Sequence, residues 1–168
     1  MDAQKFNELL GITGGKKDIK EIAEKYYDSV KAHITWRFKG LVDPDDAVQD
    51  IFLKMMEYEF KYYVDYPATW IYRFADNCVI DALRKMRPTE ELPETVRVVH
   101  FELEDTVVRD EVKRAMLKLD KLAQRILYMF YWEKYELIEV AAELKMSYVS
   151  VRAKVSRSYK KLKEFLKS

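Results

Sequence analysis

Apolar side chains recur at intervals of three, four and seven along nearly the whole chain, and only four glycines and four prolines interrupt them. That spacing gathers apolar groups onto one stripe of a 3.6-residue helix and would scatter them over both faces of a strand. The chain is therefore expected to be all-α. Strand-like alternation is confined to "VRVVHFEL" at 96–103. With 168 residues, 49% of them hydrophobic, the sequence can build one compact domain or two small ones of modest stability.

The punctuation predicts where helices begin and end. A first helix covers about ten residues and stops near Gly11, with Gly14 and Gly15 in the loop. A second runs from Ile19 to Phe38 with Ile19, Ile22, Ala23, Tyr26, Val30 and Ile34 on one face, and Gly40 closes it. In "DPDDAVQDIF", Asp43 is placed to cap, Pro44 suits the first helical position, and Asp45 and Asp46 complement the positive helix end. The buried stripe of this third helix is expected to be Val48, Ile51, Phe52 and Met55. A fourth helix should run from Thr69 to Arg87 with Ile71, Phe74, Ala75, Cys78 and Ala82 inward, and Pro88 should end it. Residues 88–106 mix two prolines with many acids and read as an inter-domain linker. Further helical pieces fall near 107–118, 121–132, 135–144 and 148–166.

Charge is sorted along this frame. Thirty basic and 29 acidic residues nearly cancel, yet residues 43–59 sum to −5, residues 88–106 to −5 and residues 145–168 to +7. Blocks of opposite sign suggest two kinds of partner surface. One cysteine, Cys78, excludes a disulfide framework, and His33 and His100 alone cannot make a zinc site of usual spacing. No metal or cofactor is expected. No apolar run approaches the roughly 20 residues of a membrane span, and the N-terminus does not read as a signal peptide, so a cytoplasmic protein is expected. Nor is there a glycine-rich phosphate loop or an acid cluster at metal-site spacing, so the chain is not expected to be an enzyme.

The C-terminal pieces carry a geometric signal. In "ELIEVAAELKMSYVSVRAKVSRSYKKL", Leu137, Val140, Ala141 and Leu144 share a face, Ser147 can cap, and Val151, Val155, Leu162 and Leu166 resume the period. Ala141 is small enough for two helices to cross at a steep angle, with Val151 beneath it, as in a helix-turn-helix. Where such turns often carry glycine this chain has Lys145. A left-handed lysine costs about 1 kcal/mol, so a turn of different geometry is expected. The second helix would lie in a major groove, with Tyr148, Ser150, Arg152 and Lys154 near base edges and Arg157, Lys160 and Lys161 on phosphates. The plainer alternative is a basic, solvated tail on a bundle.

Two N-terminal features have regular spacing as well. Asp46, Gln49, Asp50 and Leu53 recur at three, four and seven opposite the buried stripe, and Arg73, Asn77, Asp81 and Arg84 line a polar stripe of the fourth helix beside Lys85, with Asp81 expected to pair within the helix with Arg84 or Lys85. On the residues alone, a solvated acidic face accounts for Asp45 and Asp46, although poorly for Gln49 and Leu53.

The segments "DPDDAVQDIFLKMM", "ATWIYRFADNCVIDALRKMR" and "IEVAAELKMSYVSVRAKVSRSYKKL" resemble, in sequence and order, regions two and four of bacterial RNA polymerase sigma factors. The short linker between them is similar to that of the compact extracytoplasmic-function type. The resemblance covers residues 20–87 and 107–166. It implies a region-two-like domain at 1–87, an acidic linker at 88–106 and a region-four-like domain at 107–168. Asp46, Gln49, Asp50 and Leu53 would dock on the clamp helices of the polymerase's largest subunit. Arg73, Asn77, Arg84, Lys85 and Arg87 would read and hold the downstream promoter element, conventionally called minus-ten. Tyr62 and Tyr63, in the tyrosine-rich break "YEFKYYVDYPAT", would stack on a base turned out of the duplex, while Trp70 packs. The helix-turn-helix would bind the upstream element. Core polymerase and promoter DNA are the implied partners, and an anti-sigma protein is a further candidate. The rival is a helix-turn-helix regulator that binds a palindromic duplex without polymerase.

Overall fold

The computed structural model describes residues 1–86, 88, 91, 103, 106 and 108–167. Arg87, most of the expected linker and all but the last residue of "VRVVHFEL" lie outside the described residues. Among those described there is no strand, and the chain divides into two compact units, Met1–Val99 and His100–Ser168.

The first unit holds α1 (Ala3–Leu9), α2 (Lys20–Arg37), α3 (Pro44–Glu57) and α4 (Pro67–Met86). Helices α2, α3 and α4 pack against one another, and α1 lies on α2. Their apolar stripes meet in a core that includes Ile22, Tyr26, Val30, Ile34, Val48, Ile51, Met55 and Ile71, all almost fully buried. Helix α3 starts as its sequence dictates: the Asp43 carboxylate accepts from the Asp46 N–H at 3.2 Å, with Pro44 at the first position.

Helix α4 differs from expectation at its start and on its buried face. It begins at Pro67, two residues before Thr69, because proline lacks the N–H that a first helical turn leaves unused. Its buried residues include Tyr72, Val79 and Leu83, whereas Phe74 and Ala82 are only half-buried. Contact with both α2 and α3 widens the buried arc beyond a single stripe.

The second unit holds α5 (Asp110–Met116), α6 (Lys121–Tyr131), α7 (Leu137–Leu144) and α8 (Tyr148–Lys167). Helix α8 packs on the other three around Met116, Ile126, Leu127, Val140, Val151 and Leu162. Helices α7 and α8 form the helix-turn-helix, with Ala141 and Val151 buried at its centre. The turn keeps the left-handed geometry that lysine was expected to avoid: Lys145 has φ 55° and ψ 44°. The Met146 N–H reaches the Ala141 carbonyl at 2.9 Å and the Lys145 N–H reaches that of Ala142 at 3.4 Å. These bonds close a Schellman motif, and satisfying the last carbonyls of α7 offsets the backbone cost. A second correction concerns Leu166, which is exposed. Buried contact along α8 runs through Val151, Val155, Ser158, Leu162 and the half-buried Phe165, alternating steps of four and three. That alternation follows 3.6 residues per turn more closely than repeated steps of four.

Candidate docking face and nucleic-acid interfaces

The aspartates at the head of α3 have separate uses. Asp43 is spent on the cap, and Asp45 pairs with Lys31 of α2 at 2.7 Å, which raises the Lys31 pKa through that hydrogen bond. Asp46, Gln49, Asp50 and Leu53 are all exposed, on the side of α3 away from its buried stripe. Asp50 meets Lys54 at 3.1 Å within the helix, and this bond raises the Lys54 pKa. Leu53 and Met56 are more than half exposed, and they border an apolar groove of about 620 Å³ that Ala23, Tyr27, Gln49 and Phe52 also line. Acceptors and apolar surface are therefore contiguous.

On α4, Arg73, Asn77, Arg84 and Lys85 are exposed along the expected polar stripe. The break between α3 and α4 separates its rings into two sets. Phe60 and Tyr58 make edge contacts with Phe74, and Trp70 stacks on Phe74 at 5.1 Å, so Trp70 packs as expected. Tyr62 is 87% exposed and Tyr63 52%. Those two rings offer free faces.

Helix α8 is capped by Ser147, whose hydroxyl oxygen accepts from the Ser150 N–H at 3.1 Å and lies 2.7 Å from the Ser150 hydroxyl. Tyr148, Ser150, Arg152, Arg157, Lys160 and Lys161 are exposed. Lys154 is half-buried and lies 2.7 Å from Asp120, the N-cap of α6. The Lys154 hydrogen bond, followed by one from the Ala123 N–H, holds the Asp120 carboxyl below its ordinary range. Lys154 thus joins α8 to α6.

A buried polar cluster escaped sequence reasoning. The Asp76 carboxylate lies 2.7 Å from His33 Nε2 and also bonds Arg37, with all three side chains largely buried. It ties α4 to α2 one position from Asn77, and so sets which residues of α4 face outward. His33 and Asp76 lie 43 positions apart, and no local spacing connects them. Cys78, also on α4, is buried, and desolvation pushes its thiol up to about 11, so little thiolate exists near neutral pH. Among the described residues no group of three or more His, Cys, Asp or Glu side chains is placed to hold a metal, and no helix is long and apolar enough to cross a membrane.

An all-α chain whose second unit presents a basic recognition helix belongs in class with DNA-binding transcription proteins. Residues 22–89 match Sigma-70 region 2, and residues 109–162 match Sigma-70, region 4. RNA polymerase sigma factor SigZ of Bacillus subtilis is 25% identical over 89% of this chain and 87% of its own length. ECF RNA polymerase sigma factor SigW of the same organism is 24% identical over 92% and 91%. A solved structure of the sigma factor RpoE in complex with the anti-sigma factor NepR from Bartonella quintana matches 88% of this chain and 96% of that chain, at 17% identity and a TM-score of 0.41. The chain belongs to the sigma-70 family, as an RNA polymerase sigma factor of the extracytoplasmic-function group. A stand-alone helix-turn-helix regulator is not favoured by these matches.

Proposed function

We propose that the chain is a promoter-specificity subunit with no active site of its own, acting in the cytoplasm, where polymerase and DNA meet. The first unit docks on the clamp helices of the largest subunit through Asp46, Gln49, Asp50 and Leu53. It then reads the downstream element with Arg73, Asn77, Arg84, Lys85 and Arg87, and holds a flipped base against Tyr62 and Tyr63. The second unit binds the upstream element as duplex. Tyr148, Ser150 and Arg152 approach base edges, while Arg157, Lys160 and Lys161 neutralise phosphate. Lys154 contributes there only by leaving Asp120. The acidic residues of 88–106 occupy a nucleic-acid channel of the polymerase by mimicking a strand. An anti-sigma protein would restrain the chain by covering the face that polymerase needs.

The observation that carries this reading is the division of labour on α3. Asp43 and Asp45 are held by the cap and by Lys31, whereas Asp46, Gln49 and Asp50 face outward, Asp50 paired with Lys54 of its own helix, and Gln49 and Leu53 line an apolar groove. A merely solvated acidic face would not need that groove. Carboxylates next to apolar surface suit an arginine-bearing partner helix.

Asp50→Arg tests it. The variant loses an i,i+4 pair with Lys54 worth about 0.2–0.5 kcal/mol and gains a like-charge pair of similar cost, too little to change helicity by circular dichroism. Association with purified core should be abolished, and co-purification at the parental level would remove α3 as the docking face.

A further inference from the structure

The exposed Tyr62 and Tyr63 sit on a loop whose two ends are held by residues that precede the matched region. Lys17 Nζ donates to the carbonyls of Met55 and Met56, each at 3.2 Å, and to that of Tyr58, so one ammonium satisfies two of the last carbonyls of α3 and that of its C-cap residue. The same ammonium lies 5.1 Å from the centre of the Phe60 ring. At the other end the Asn7 side chain grips the backbone of Val64 twice: its Nδ2 donates to the Val64 carbonyl at 2.8 Å, and its Oδ1 accepts from the Val64 N–H at 2.8 Å. Asn7 is fully buried, a position that polar side chains occupy only when their bonds are made. Neither residue lies within the region-two match, which begins at residue 22.

The turn after α1 is built to deliver Lys17. Gly11 has φ +78°, and a Cβ there would sit 3.3 Å from the Gly15 carbonyl oxygen. The Asp18 N–H closes the fold-back on the Leu9 carbonyl at 2.8 Å.

We propose that Asn7 and Lys17 are positioning residues for strand separation: they pin the loop at Val64 and at Tyr58, so that Tyr62 and Tyr63 are presented to an unpaired base in a preset place. A pinned loop loses less conformational freedom when it captures a base than a loose one does, and that saving falls on the opening step. The inference rests on the reading of Tyr62 and Tyr63 as the base-stacking pair.

The test uses holoenzyme reconstituted from purified core and the full chain. Lys17→Met keeps the aliphatic stem and removes the charge, and Asn7→Ala frees the Val64 end. Core affinity is measured first, then opening of a linear duplex promoter by permanganate reactivity of its thymines, then initiation from the same promoter carrying mismatches across the downstream element. Asn7→Ala should bind core within about twofold of the parent, and because Lys17 also lines the groove beside Leu53 its variant is compared at saturating core; both should open duplex about tenfold less. Both should recover to within about threefold on the pre-opened template, and Lys17→Arg should restore opening. Equal losses on the two templates would overturn the clamp, because general damage to the fold makes no distinction between them. A Tyr62→Ala, Tyr63→Ala double variant separates the two claims. If it opens duplex like the parent, the stacking reading fails and takes the clamp with it. If it cannot open duplex while both clamp variants can, the clamp alone is refuted.

Discussion

Arg152 and Lys160 share one helix, exposure and charge, yet the proposed major-groove docking gives them different work. Arg152 lies one turn from the start of α8, where the proposed docking puts base edges, whereas Lys160 lies two turns further on, where it puts phosphates. Arg152→Ala should cost about 1–3 kcal/mol on the preferred upstream sequence and relax discrimination at one base pair. Lys160→Ala should weaken binding on all sequences alike and reduce the slope of log affinity against log salt by about one. Titrations of the holoenzyme on matched and substituted promoters across a salt series distinguish the two patterns. Loss for Arg152→Ala that is equal on every sequence would remove it from base reading, and an unchanged slope would remove Lys160 from the phosphate contacts. The exposure of these side chains was legible in the sequence because i, i+3, i+4 spacing opposite buried valines is a local property. The engagement of Lys154 with Asp120 was not, since 34 positions separate the pair.

At the scale of elements, the turn between α7 and α8 shows how hydrogen bonding overrules backbone preference. Lysine in a left-handed conformation is strained, but any other turn would leave the carbonyls of Ala141 and Ala142 without the bonds they now accept. Lys145→Gly should therefore stabilise the protein by about 0.5–1 kcal/mol, seen as a higher midpoint of thermal unfolding. A lowered midpoint would mean that the lysine side chain contributes more than the strain it carries. The same tension explains what was readable of the elements. Caps such as Asp43 and Ser147 act within three residues and announce themselves, and so does the apolar period of α2 and α3. The start of α4 was misjudged because Pro67 serves equally as a breaker and as a first helical residue, and only packing decides between the two. Leu166 was misplaced because the expected steps of four, seven and four outrun 3.6 residues per turn and leave it off the buried face. Asn7 and Lys17 left no local trace, as each acts on backbone groups about forty or more positions away.

At the scale of the whole molecule, segregated charge is the organising fact. Acid is concentrated in 43–59 and 88–106, base in 145–168, and the net charge of +1 conceals both. Sequence alone suffices to see that segregation and the all-α architecture, because both are properties of residue order. What it leaves ambiguous is which aspartates serve the fold and which face outward, since that depends on where Lys31 of α2 lies. The central claim is that this chain makes polymerase promoter-specific and has little use for DNA without it. The most direct measurement is run-off transcription from a library of duplex promoters, with core alone, this protein alone and the two together, beside duplex affinities for the last two. The account predicts transcripts from a defined subset of promoters only when both are present, and tight specific binding only with core. Tight, specific binding of duplex by the free protein, with no transcripts when core is added, would contradict it.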